Sequence, residues 1–174
     1  MFEAFAKFDG PIVQSLMAAL APGREDRDEA NSPDVKWNLP GFLGSARVST
    51  AFGELPIQAL RIRDEILTAS GAIARVQWID KLHLDEEYLA LHPSARPVRI
   101  PANGLAQGIP LNEVTVSPEQ LLSVDAHAAS RFLPASELCN RARAHRVQPS
   151  GLTYYRFHCG YPVNVRVEGM LVRV

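Results

Sequence analysis

From Arg47 onward, apolar and polar positions alternate with a period of two over short stretches, and turn residues separate those stretches. The pattern predicts strands over Arg47–Thr50 and, after a turn at Gly53, over Leu55–Leu60. A strand over Glu65–Ala69 closes at Ser70-Gly71. Ala72, Ala74, Val76 and Trp78 then share one face of a strand over Ala72–Ile79. Pro97–Ile100, Glu113–Ser117 and Gln120–Val124 follow, the last two broken by Pro118, which has no N–H for a central ladder. Thr153–Cys159 is aromatic and β-branched, and Val163, Val165 and Val167 alternate with Asn164, Arg166 and Glu168. Helical spacing is confined to Asp85–Leu91, ended by Pro93, and to Glu137–Ala144, with Ser136 as its cap. Many short strands with little helix predict a mainly β fold.

The first forty residues read differently. Ile12, Val13, Leu16, Met17 and Leu20 share one face of a short amphipathic helix over Ile12–Ala21, stopped by Pro22-Gly23. Gly23–Pro33 is almost wholly charged or polar, cannot offset the cost of ordering by burial, and reads as a solvated linker. The expected organisation is therefore an appendage over residues 1–40 and a β domain over residues 41–174.

Composition narrows the function classes. A chain of 174 residues is long enough to bury a core without a disulfide or metal staple. A net charge of −1 gives no electrostatic case for nucleic acid or an anionic membrane. No apolar run approaches a membrane span. The leading residues carry Glu3 and Asp9 against Lys7, so the basic region of a signal peptide is missing and the expected compartment is the cytoplasm. Cys139 and Cys159 read as two free, buried thiols; a single disulfide between them stays open, because sequence does not report their separation.

Ser45, Ser49 and Thr50 have no base aimed at them and read as strand and turn hydroxyls. Cys159 adjoins His158, but neighbours on a strand face opposite ways and cannot form a dyad with each other. His83, Asp85, Glu86 and His92 gather in one stretch; His83 and Asp85, at i and i+2, can share a strand face, but His92 follows a helical turn beside a Pro, and the group reads as a solvated polar edge with a metal site as the alternative. Arg141–Arg146 (RARAHR) reads as cations favouring a helix C-terminus, with a partner-binding surface as the alternative. No cofactor or metal site is expected.

Several blocks in order resemble those of bacterial Hint (Hedgehog/intein-type autoprocessing) domains. They are Gly41–Leu60 (GFLGSARVSTAFGELPIQAL), Ile66–Gly71 (ILTASG), Val76–Trp78 with Arg96–Ile100 (RPVRI), Gly104–Pro118 (GLAQGIPLNEVTVSP), and Thr153–Tyr155 with Glu168-Gly169. The resemblance covers residues 41 to 170 and implies a compact horseshoe-shaped β fold that brings both chain ends to one catalytic centre. It also implies acyl transfer, in which a Cys attacks the preceding carbonyl to form a thioester. A His protonates the departing amide, and a further His or polar donor assists.

Position by position, those groups are replaced. The nucleophile's place is Gly41, which has no attacking atom. The acid of the V-S-P-x-H motif is Gln120, which hydrogen-bonds but does not titrate. The His before the last strand is Pro162, and a further imidazole is Arg156. Groups that act as a unit lose most of the rate when one is lost. The expectation is a catalytically degenerate Hint-like domain, kept as a non-enzymatic binding or structural module with a protein or peptide partner. The alternative is an autoprocessing protein with a relocated nucleophile and acid, cleaving near Pro40-Gly41 or after Val174.

Overall fold

Fourteen short strands build two antiparallel sheets in the computed structural model, which describes residues 36–125, 129 and 131–174. The expected helix Ile12–Ala21 and linker Gly23–Pro33 lie outside the described residues. One sheet has six strands: β1 (Phe42–Leu43), β6 (Trp78–Asp85), β7 (Val98–Ile100), β8 (Val114–Val116), β11 (His145–Arg146) and β12 (Gly151–His158), in the order β11-β7-β8-β1-β12-β6. The other has eight: β2 (Arg47–Thr50), β3 (Gly53–Pro56), β4 (Glu65–Leu67), β5 (Ile73–Arg75), β9 (Leu121–Ser123), β10 (Phe132–Pro134), β13 (Asn164–Val167) and β14 (Met170–Arg173). Its order is β10-β9-β14-β13-β2-β4-β5, with β3 beside β2. Two short α-helices, α1 (Glu86–Leu91) and α2 (Ala135–Leu138), and two 3-10 turns, Ile57–Ala59 and Pro93–Ala95, connect them. No helix of the described residues is long and apolar enough to cross a membrane.

The alternation seen in the sequence sorts side chains between two apolar clusters. Val48, Ile66, Val165 and Val172 of the eight-stranded sheet share the main core with Phe42, Val98, Val116 and Phe157 of the six-stranded one. On β12, Leu152 and Tyr154 point the other way, into a second cluster with Trp37, Leu84, Leu89 and Ala95. β12 is therefore lined by apolar groups on both faces, as a strand near the middle of a packed fold must be.

Three expected elements are corrected. Leu55–Leu60 is not one strand: Pro56 has no N–H, and the Ile57 and Gln58 amides donate instead to Ala46 O and Gly44 O, which bends the chain into the 3-10 turn. Ala72–Ile79 is divided between the sheets. Val76 exchanges backbone bonds with Asp64 and Arg63, whereas the Gln77 amide donates to His158 O, so the chain changes sheets between adjacent residues. Ala74 and Val76 are buried as expected, but Ala72 is exposed and Trp78 half-buried. The helix expected over Glu137–Ala144 is instead α2, which starts after Pro134 and contains Ser136 rather than being capped by it. The Arg141 and Ala142 amides both turn back to Leu138 O, freeing His145–Arg146 to pair with β7. Asp85 does cap α1, accepting from the Tyr88 amide at 2.7 Å.

The β13–β14 hairpin turns on Glu168 and Gly169, with φ of +49° and +80°. Positive φ at both central residues is the turn whose twist matches the strands it joins. Glu168 is 4% exposed, and its carboxylate accepts from the Arg47 amide and from Asn112 Nδ2, each at 3.0 Å.

Candidate functional site: the cavity at Gly41

β1 is only two residues long, yet it is fixed from both sides: Phe42 pairs with Val116 of β8 and with Tyr155 of β12. Gly41 precedes it, and its carbonyl accepts from the Ser117 amide at 2.8 Å. Ser117 also donates through Oγ to Leu39 O at 2.5 Å, so one residue of the V-S-P motif holds the backbone on both sides of Pro40. Three residues on, Gln120 is 1% exposed. Its Nε2 donates to Arg173 O at 2.9 Å and to Leu121 O at 3.3 Å, which ties the start of β9 to the end of β14.

These links surround a cavity of about 240 Å³ lined by Pro40, Gly41, Gln120 and Val174, together with Arg156, His158 and Trp78. The two ends of the β domain meet there. β12 contributes Arg156, Phe157 and His158 to the cavity walls. Arg156 donates through Nε and Nη2 to Asp80 Oδ2 at 3.1 and 2.6 Å, and its guanidinium carbon stands 5.1 Å from the Trp78 ring centre. Trp78 stacks on His158 at 5.2 Å. His158 Nδ1 accepts from the Gly160 amide at 2.9 Å, which places the neutral ring's proton on Nε2.

The space beside Gly41 is nearly closed. A Cβ built there meets Tyr154 Cβ at 3.1 Å, Arg156 Cγ at 3.3 Å and Tyr155 O at 3.4 Å. Arg156, expected to replace an imidazole, thus presses against the place where a nucleophile's side chain would begin. Gly41 and Gln120 come together as the resemblance implied. Pro162 does not: it is exposed and does not line the cavity. In the sequence Trp78 stands out only as a strand residue, Val174 only as a chain end and His158 only as the neighbour of Cys159; none is marked there as a cavity residue, and nothing singles out Arg173. No sequence signal marked Arg173 and Val174, because β14 carries no motif of its own.

The rival candidates lie elsewhere. Thr50 Oγ1 donates to Gly53 O at 2.6 Å and accepts from the Phe52 amide at 3.2 Å, the turn role expected of it. Ser45 is exposed, Ser49 pairs with Glu54 across β2–β3, and none of the three hydroxyl residues lines the cavity. Cys159 is buried and Cys139 half-buried; both are free, and burial pushes both thiols above their ordinary value. His83 Nδ1 meets Thr153 Oγ1 at 3.1 Å, Asp85 caps α1, and His92 stacks on Tyr88 at 4.1 Å. Among the described residues no three or more His, Cys, Asp or Glu side chains converge as a metal set. In the basic run, Arg146 does serve a helix end, though not that of α2. Its Nη1 reaches Pro93 O, Ser94 O and Arg96 O at 3.5, 3.4 and 3.1 Å, at the end of the 3-10 turn Pro93–Ala95.

The fold has counterparts in known proteins. A DnaB intein from Synechocystis sp. PCC 6803 superposes with a TM-score of 0.52 at 9% identity, over 78% of this chain and 99% of its own. A bacterial intein-like domain from Clostridium thermocellum gives 0.52 at 9% identity, over 78% of this chain and 98% of its own. At such identities the likeness is one of fold. No curated protein matches the sequence. The profile of the Hint domain family matches residues 40–172. With that match across most of its length, the chain belongs to the Hint domain family.

Proposed function

We propose that this Hint domain no longer cleaves its own chain and serves as a non-enzymatic module that binds or supports a protein or peptide segment. One observation carries the reading: among the described residues, none that lines the Gly41 cavity has a hydroxyl or a thiol. Acyl transfer needs an attacking atom within about 3.5 Å of the carbonyl, and a glycine supplies none. Gln120, at the acid's place, spends its N–H bonds on two backbone carbonyls and has no proton to lend near neutral pH. His158 also lines the cavity, and a proton donor without a nucleophile does not start the reaction.

Self-processing with relocated groups would need a Ser, Thr or Cys to enter the cavity. Incubating the purified chain, with and without dithiothreitol and hydroxylamine, and following its intact mass decides between the two. An unchanged mass supports the module; a fragment ending at Pro40 overturns it.

A further inference from the structure

The residues just before Gly41 are built into the fold. Trp37 is 5% exposed and packs in the second apolar cluster with Leu84, Leu89, Leu152 and Tyr154. Its ring centre stands 5.8 Å from that of Tyr154. Its Nε1 donates to Ser117 Oγ and to Leu39 O, both at 2.9 Å, and its amide donates to Ser94 Oγ at 3.3 Å. Leu39 packs against the same cluster, while Lys36, Asn38 and Pro40 stay exposed. Trp37 is therefore held by three remote parts of the chain: the turn at 93–95 through its amide, the residue after β8 through its indole N–H, and the middle of β12 through packing on Tyr154. The Trp37 amide and indole N–H both have acceptors, and the side chain buried is the largest available. That is the composition of a binding hot spot rather than of a linker.

We infer that Trp37–Leu39 is a built-in ligand of the domain, a Trp-x-Leu segment seated in its own site. It fastens the upstream sequence to the β domain independently of the Pro40–Gly41 peptide bond. The site belongs to the second apolar cluster, on the other face of β12 from the main-core residue Phe157, and neither Trp37 nor Leu39 lines the Gly41 cavity. The inference therefore goes beyond the non-enzymatic reading and stands whether or not any cleavage survives. A cut between Pro40 and Gly41 would break the chain without separating its parts.

The test is to insert a protease recognition sequence between Pro40 and Gly41 in the full chain, cut it under native conditions and apply it to a sizing column at micromolar concentration. The two pieces should co-elute at the position of the uncut protein, and Trp37→Ala in the same background should release the short piece. Separation with Trp37 in place overturns the inference, as does equal retention with Trp37→Ala. Because the insertion itself can disturb folding, a second arm uses the uninterrupted chain carrying Trp78→Phe, where Trp37 is the sole indole. Acrylamide should quench its emission several-fold less in the native protein than after denaturation. Equal quenching in the two states would show an unseated segment and overturn the inference as well.

Discussion

Removing the Glu168 carboxylate should destabilise the domain more than any change at the Gly41 cavity. The side chain is 4% exposed and bridges three parts of the fold: the β13–β14 turn, the Arg47 amide that starts β2, and Asn112 in the loop before β8. Glu168→Ala keeps the Cβ, so the backbone cost of φ at +49° is unchanged and the difference reports the carboxylate alone. Each charge-assisted bond to this buried carboxylate contributes about 1.5–3 kcal/mol, offset by the carboxylate's own desolvation and by the exposure of Arg47 and Asn112. A net loss of about 3 kcal/mol follows, which lowers the melting temperature by about 9 °C in a domain of this size. Glu168→Gln keeps one acceptor but turns an NH2 toward a donor, so it should fall between the wild type and Ala. Thermal unfolding by circular dichroism, with a urea titration to confirm an unchanged slope, is the assay. A Glu168→Ala protein melting within about 1 °C of the wild type would refute the bridging role.

Three further outcomes follow from the same geometry. Gly41→Ala should cost about 1–2 kcal/mol in urea unfolding, since its Cβ would stand 3.1 Å from Tyr154 Cβ and 3.3 Å from Arg156 Cγ; a neutral or stabilising result would show that the space is open. Burial raises the Tyr154 phenol above its ordinary value, so the folded state keeps a proton that the unfolded state loses above about pH 10. Stability is then full below that pH and declines above it by up to about 1.4 kcal/mol per pH unit. The fall in urea midpoint between roughly pH 8 and pH 11 should be smaller in Tyr154→Phe, with the remainder left to the other groups that burial raises, Tyr88, Cys139 and Cys159; the variant also forfeits about 1 kcal/mol for the bond to Ala95 O. Thiolate is the reactive form of cysteine, and both thiols are pushed up by burial. In the native protein Cys159, at 2% exposure, should label with a disulfide reagent at least about ten-fold more slowly than half-buried Cys139; equal rates would contradict its burial.

The fold class was legible because period-two alternation survives wherever one strand face is buried, as at Val163, Val165 and Val167, all of which are buried. Where the chain changes sheets the same alternation misleads. Ala72 to Trp78 keeps its period, yet the hydrogen bonds of Val76 and Gln77 belong to different sheets. Periodicity reports which way a side chain points, not which strand accepts its neighbour's amide. The helix at Glu137 was misplaced because Pro134, which presets the backbone ahead of α2, outweighs the capping capacity of Ser136. At the site, Gly41 and Gln120 were found through motif resemblance, and Ser117 of the same motif proved to be the residue that holds Gly41. His158 and Val174 reach the cavity only through strand pairing over long sequence separations, which a single sequence does not display.

The central claim is that the cavity has lost its chemistry and kept its architecture, and intact-mass spectrometry of the full chain tests it most directly. After prolonged incubation at neutral pH, with dithiothreitol and hydroxylamine present to trap any ester or thioester, the account predicts one species at the mass of the uncut chain. A pair of products whose masses sum to that of the chain plus water, or to the chain plus the trapping nucleophile, with one product ending at Pro40, would contradict it.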